Sequence, residues 1–145
     1  TVTGVQTCAL PISERRPNPI FMKRAVIVLS KNRDENAAMC SILKDTTYSP
    51  KSLFSYDDLE KSLKAEEFLA VFIDTDSIPL DNSSIRFLNK NFPNVSLLLT
   101  SVKKSHPDLE EAIGQYVYAC ISKPIDPEEV IYWLKCILDD KSKPI

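Results

Sequence analysis

Phe68-Leu69-Ala70-Val71-Phe72-Ile73-Asp74-Thr75-Asp76 is the stretch on which the reading of this 145-residue chain turns. Phe68 to Ile73 is apolar with no polar residue interleaved, and the chain then becomes acidic at once. A strand with one wet face alternates apolar and polar residues; a strand covered on both faces reads as a continuous apolar run. Ala25 to Leu29 upstream is of the same kind, Val95 to Leu99 downstream is apolar apart from Ser96 and does not alternate, and Tyr116 to Ile121 adds another apolar run. Lys51-Ser52-Leu53-Phe54 is mixed and suits the edge of the sheet. The pattern predicts a parallel sheet with helices on both sides.

The segments between these runs carry apolar residues at helical spacing: Ala38, Met39, Ile42 and Leu43; Leu59 and Leu63; Ile85, Leu88 and Phe92; Leu109 and Ile113; Val130, Leu134 and Ile137. Ser55-x-x-Asp58 reads as a capping box, and Asp126-Pro127-Glu128-Glu129 combines an N-cap, a proline in the first turn and two acids. Strand and helix therefore alternate five times. Right-handed crossovers then favour an α/β, flavodoxin-like (βα)5 doubly wound sheet of order 2-1-3-4-5.

Val2 to Ile12 resembles a sequencing-library adapter translated in frame, and residues 1–21 are set aside as a non-native or disordered segment. Met22 is the candidate start, residues 22–140 the expected domain and residues 141–145 a polar tail. Without Glu14, Arg15 and Arg16, the 18 basic and 20 acidic residues become 16 and 19, a net of −3 with no block of like charge. Neither nucleic acid nor membrane is expected as a partner. Cys40, Cys120 and Cys136 are widely spaced, without a CxxC pair, and read as buried thiols of a reducing compartment, the cytoplasm. Gly114 is the one glycine outside the adapter-like run, which excludes glycine-rich phosphate loops and with them most nucleotide or flavin binders of this architecture. The lone His106 lies in a polar turn with no second histidine to form a ligand set, and Asp57-Asp58 reads as helix capping.

In open parallel sheets, chemistry collects at the carboxyl ends of the strands. Those ends carry Ser30, Lys31 and Asn32; Asp74, Thr75 and Asp76; Thr100 and Ser101; and Ser122, Lys123 and Pro124. With a central-strand aspartate, a hydroxyl residue ending the next strand and a Lys-Pro pair ending the last, the chain resembles the receiver domains of response regulators over roughly Lys23 to Leu138. The resemblance implies Asp74 as phosphoacceptor, Thr100 as switch hydroxyl, Lys123 as the neutralising ammonium and Pro124 in a cis peptide. The loop from Asp74 to Asp81-Asn82 has the family's length, with its proline displaced by one residue and Asn82 where the family has a glycine, a turn position at which asparagine tolerates a left-handed backbone.

Two departures follow. Where the family has a pair of acids for magnesium, this chain has Ser30 and Lys31, and Asp34 and Glu35 are expected in the first turn of the helix as dipole partners. Magnesium is worth several kcal/mol in phosphoryl transfer, on the order of a thousandfold in rate, so the loss weakens phosphorylation. It also raises the expectation that Lys31 reaches Asp74 and, with Lys123, neutralises the pocket without phosphate. Cys120 stands where the family often has an aromatic switch residue, and Tyr118 two residues earlier is expected on the same sheet face. Tyr118, Tyr132 and Trp133 form a candidate interface.

The leading expectation is a receiver-like signalling domain of a two-component system, not an enzyme, degenerate at the metal site and acting by protein contact. The competing reading is a working receiver phosphorylated on Asp74 by a histidine kinase; only there does magnesium enter, held weakly through Asp74 and Asp76. A small flavodoxin-fold enzyme or nucleotide binder is the third. Expected partners are a histidine kinase or another signalling protein, with a homodimer as a further assembly.

Overall fold

The computed structural model describes residues 24–142. The adapter-like run and Met22 lie outside them. In chain order the elements are β1 (Ala25–Leu29), α1 (Arg33–Lys44), β2 (Ser49–Leu53), α2 (Tyr56–Ala65), β3 (Ala70–Asp74), α3 (Asn82–Asn91), β4 (Ser96–Ser101), a 3-10 turn (Pro107–Leu109), α4 (Glu110–Tyr116), β5 (Val117–Ser122) and α5 (Pro127–Ser142). The five strands are all parallel and lie in the order β2-β1-β3-β4-β5. This is the doubly wound arrangement expected from the sequence.

The unbroken apolar runs follow from two cores, one on each face of the sheet. Val26, Val28, Ala70, Phe72 and Leu98 face α1 and α5, where Met39, Leu43, Val130, Leu134 and Ile137 cover them. Their neighbours Ile27, Leu29, Val71, Ile73, Leu97 and Leu99 face α2, α3 and α4, under Leu59, Leu63, Ile85, Leu88 and Ala112. Successive strand side chains point to opposite faces, so a strand buried on both sides can use apolar residues at every position.

Caps end the helices as the sequence suggests. Ser55 Oγ accepts the Asp58 amide at 3.2 Å, and Asp126 Oδ1 accepts the Glu128 amide at 2.9 Å. Asn32 and Asp81 cap α1 and α3 in the same manner.

Several expectations need correction. The second strand begins at Ser49, pairing Ala25 with Ser49 through Leu29 with Leu53, and Phe54 leaves the sheet to lie half exposed beneath Arg33. Ala38 is exposed, and the buried face of α1 uses Asn36 and Cys40 beside Met39 and Leu43. Of the described cysteines only Cys40 is buried; Cys120 is exposed and Cys136 half-buried. No described residue has a left-handed backbone, and Asn82 is the first residue of α3; its side chain instead bridges to Asp108 O and the Ala112 amide, tying α3 to α4. A register shift where Leu97 and Leu98 face Val117 and Ala119 leaves Tyr118 as the extra residue, so Tyr118 packs toward α5 together with Ala119 while Cys120 is exposed. Last, α5 continues through Ser142, taking the first two residues of the expected tail into the helix. Among the described residues no helix is long and apolar enough to cross a membrane.

Candidate functional site

β1, β3, β4 and β5 end side by side, and register sets what meets there. Asp74, the last residue of β3, pairs with Thr100 on β4, and β1 delivers Ser30 beyond Leu29. Ser30, Phe72, Asp74 and Thr100 share the α1/α5 side by the alternation that puts Val28 and Leu98 there. Lys123 enters from the β5–α5 loop, and its peptide bond to Pro124 is cis.

Asp74 is 4% exposed, yet ionised, because each oxygen accepts two hydrogen bonds. Oδ1 takes Lys123 Nζ at 2.8 Å and the Asp76 amide at 3.1 Å. Oδ2 takes the hydroxyls of Ser30 at 2.8 Å and Ser77 at 2.9 Å. Burial pushes the Asp74 carboxyl up, and these bonds outweigh it, holding the group below the usual carboxylate range.

Lys123 is the hub. Its ammonium lies 2.7 Å from Glu35 Oε1, 2.8 Å from Asp74 Oδ1 and 3.0 Å from Asp76 Oδ2. Burial disfavours the charge, but the bonds to Asp74, Glu35 and Asp76 raise its pKa above the ordinary lysine value. Asp76 also receives the Ser101 hydroxyl at 2.8 Å and the Val102 amide at 3.0 Å, which ties the β3–α3 loop to the end of β4. Its carboxyl is likewise lowered, burial being outweighed by the bonds from Val102, Ser101 and Lys123. Thr100 is 4% exposed, lines the same pocket, and its hydroxyl meets no hydrogen-bond partner among the described residues.

Sequence reasoning placed Asp74, Thr100, Lys123 and Ser30, and the structure brings them together. It does not bring Lys31, whose side chain is exposed and is not among the partners of Asp74; its backbone amide binds Ser77 Oγ at 3.0 Å and the chain turns outward there. The positive charge facing Asp74 is instead that of Lys123, and the hydroxyls of Ser30 and Ser77 complete its hydrogen bonds. Glu35, expected as a dipole partner, reaches into the pocket from the first turn of α1. Asn36 was not anticipated at all. Its Nδ2 donates to Leu53 O at 2.9 Å and Ser30 O at 3.1 Å, and its Oδ1 accepts the Ser52 hydroxyl at 2.5 Å, so one buried amide pins α1 to the ends of β1 and β2. The signal was present: Asn36 falls in line with Met39, Cys40 and Leu43 on the buried stripe.

The arrangement does not fit magnesium. A hard dication takes about six oxygen ligands. Here the acid-pair position holds a hydroxyl that donates to Asp74, and the carboxylates of Glu35, Asp74 and Asp76 converge on an ammonium.

At the candidate interface, Tyr132 is 59% exposed and packs edge to face with Trp133 at 5.2 Å, and Tyr118 also meets Trp133 edge to face at 6.0 Å. The Tyr118 hydroxyl donates to Asp140 at 2.5 Å, and burial together with that carboxylate raises its pKa.

No protein-family model matches the sequence, and no curated protein matches it. Solved structures do match. A CheY-like response regulator receiver domain protein from Methanospirillum hungatei superposes with a TM-score of 0.73 at 14% identity, covering 83% of this chain and 97% of that one. A response regulator from Thermotoga maritima gives 0.70 at 17% identity, over 81% and 99%. The beryllofluoride-activated NtrC4 receiver domain dimer gives 0.72 at 20% identity, over 81% and 98%. The fold of this chain is that of the response-regulator receiver domains.

Proposed function

We propose that residues 22–140 form a receiver-like signalling domain of a two-component system whose aspartate pocket is closed on itself and which acts by protein contact, not by phosphoryl transfer. The observation that carries the reading is the full occupancy of Asp74: two donors on each oxygen, one of them Ser30 from the position where a receiver would carry an acid. A buried carboxylate so held is a poor nucleophile, because attack on phosphorus must first break charge-assisted hydrogen bonds worth about 1.5–3 kcal/mol each. The same network ties the strand ends together: Asp74 of β3 receives Ser30 from the end of β1 and Lys123 from beyond β5, and Asp76 receives Ser101 of β4. The fold of the structural neighbours, one of them a receiver domain dimer, supports a signalling protein or a second copy of the chain as partner. The exposed Tyr132, backed by Trp133 and Tyr118, supports α5 and β5 as the contact face.

A second reading, phosphorylation of Asp74 by a histidine kinase, is favoured by one observation: Asp74, Thr100 and Lys123 line a common pocket. Intact-mass detection of acetyl-phosphate or beryllofluoride adducts, with and without magnesium and with an Asp74→Asn control, separates the two. The closed pocket predicts no adduct at saturating donor. A magnesium-dependent adduct that disappears in the control overturns it.

A further inference from the structure

The pocket of Asp74 and Lys123 continues into a cavity of about 280 Å³ whose remaining wall is apolar: Val28 and Phe72 of the sheet, Ala38, Met39 and Ile42 of α1, and Ile125. Ligand cavities begin at roughly 300 Å³. A phosphoryl group is small and wholly polar and has no use for an aliphatic wall. The second observation is Thr100, a buried hydroxyl that lines this cavity and has no hydrogen-bond partner among the described residues. Buried polar groups without partners are rare in folded proteins unless a ligand or water completes them.

The hydrogen-bonding capacity left over at the polar end selects the chemistry. Both oxygens of Asp74 are taken, and the ammonium of Lys123 is already shared among Asp74, Glu35 and Asp76. Glu35 meets Lys123 through Oε1, and Oε2 meets no hydrogen-bond partner among the described residues. The open functions are therefore a carboxylate oxygen and a hydroxyl, and the charged lining, Glu35, Asp74 and Lys123, is net negative. An anionic head would face two carboxylates with one hydroxyl to donate to it; an ammonium finds acceptors in Glu35 and Thr100.

We propose that this cavity binds a small organic cation, an amine on an apolar body, with the ammonium on Glu35 and Thr100 and the body among Met39, Ile42, Phe72 and Ile125. The inference rests on the closed reading of the pocket, since closure is what uses up Asp74 and Lys123.

The test is titration of the full chain with phenethylamine and hexylamine, followed by proton–nitrogen correlation spectra, against phenethyl alcohol and phenylacetate. Saturable shifts at Ala38, Met39, Ile42 and Thr100 are expected with the amines, binding at least about tenfold weaker with the alcohol, and none with the acid. Glu35→Gln weakens amine binding by about tenfold or more and leaves the alcohol unchanged. Ala38→Trp, at an exposed position of α1 that tolerates a large side chain, fills the cavity and abolishes both. No saturable shift with either amine, equal binding of amine and acid, or indifference to Glu35→Gln overturns the proposal. Beryllofluoride adducts measured on the same samples keep the two readings apart: an adduct without amine binding overturns both, and neither adduct nor amine binding overturns this one alone.

Discussion

Replacing Lys123 with methionine removes the hub and keeps the volume. Asp74, whose side chain is 5% exposed, then loses its ionic partner, and Glu35 and Asp76 lose the ammonium they share. Breaking a buried ion pair from one side costs about 3–5 kcal/mol, a large part of the 5–15 kcal/mol that holds a domain of this size. The loss has a pH signature. In the parent chain Asp74 has a folded pKa below its unfolded one, so its contribution is present above about pH 4 and is lost as pH falls through the folded value. Without the ammonium, burial dominates and raises the carboxyl, so the variant pays for ionised Asp74 at neutral pH and recovers stability as pH falls toward the raised value. Urea denaturation at pH 7 and pH 5 measures both. The expected difference is about 3 kcal/mol or more at pH 7 and clearly less at pH 5. A loss under about 1 kcal/mol, or one equal at the two pH values, refutes the argument that Lys123 holds the pocket closed.

Ser30→Ala removes one donor from Asp74 and should cost about 1.5–3 kcal/mol, whereas Lys31→Ala next to it should change stability by less than about 0.5 kcal/mol; equal effects in urea denaturation would contradict the pocket described above. Asn36→Ala strips partners from Ser52, Ser30 O and Leu53 O together, with an expected loss of about 2–4 kcal/mol by the same measurement. Asp76→Ala frees the Val102 amide, and native-state hydrogen exchange at that amide should quicken by about tenfold or more; unchanged exchange would mean that Asp76 does not tether the end of β4.

Much of the architecture was legible because burial on both faces of a parallel sheet leaves a local trace. Phe68 to Ile73 and Ala25 to Leu29 could be assigned without knowing their neighbours, since no solvated strand is apolar at every position. Boundaries were less legible. Ser49 and Pro50 belong to β2 only because β1 lies beside them in register, and Tyr118 is displaced by a register shift visible only from its pairing with β4.

The site divides along the same line. Strand ends converge in this topology, so the residues there could be listed from chain position, and the resemblance to receiver domains singled out Asp74, Thr100 and Lys123 among them. Which side chain then completes the pocket depends on direction. Lys31 and Glu35 are four residues apart, both near the end of β1, yet the backbone turn at Lys31 sends its charge into solvent while the first turn of α1 swings Glu35 onto Lys123. The sequence alone determined the layering, the strand order and the residues at the strand ends, because each rests on periodicity and chain connectivity. Tertiary structure alone decided that Asp74 is held by Lys123, Ser30 and Ser77, that Glu35 reaches Lys123 and that Asn36 bonds across to Leu53 O: contacts between distant residues depend on angles and ångström-scale distances that no local pattern encodes.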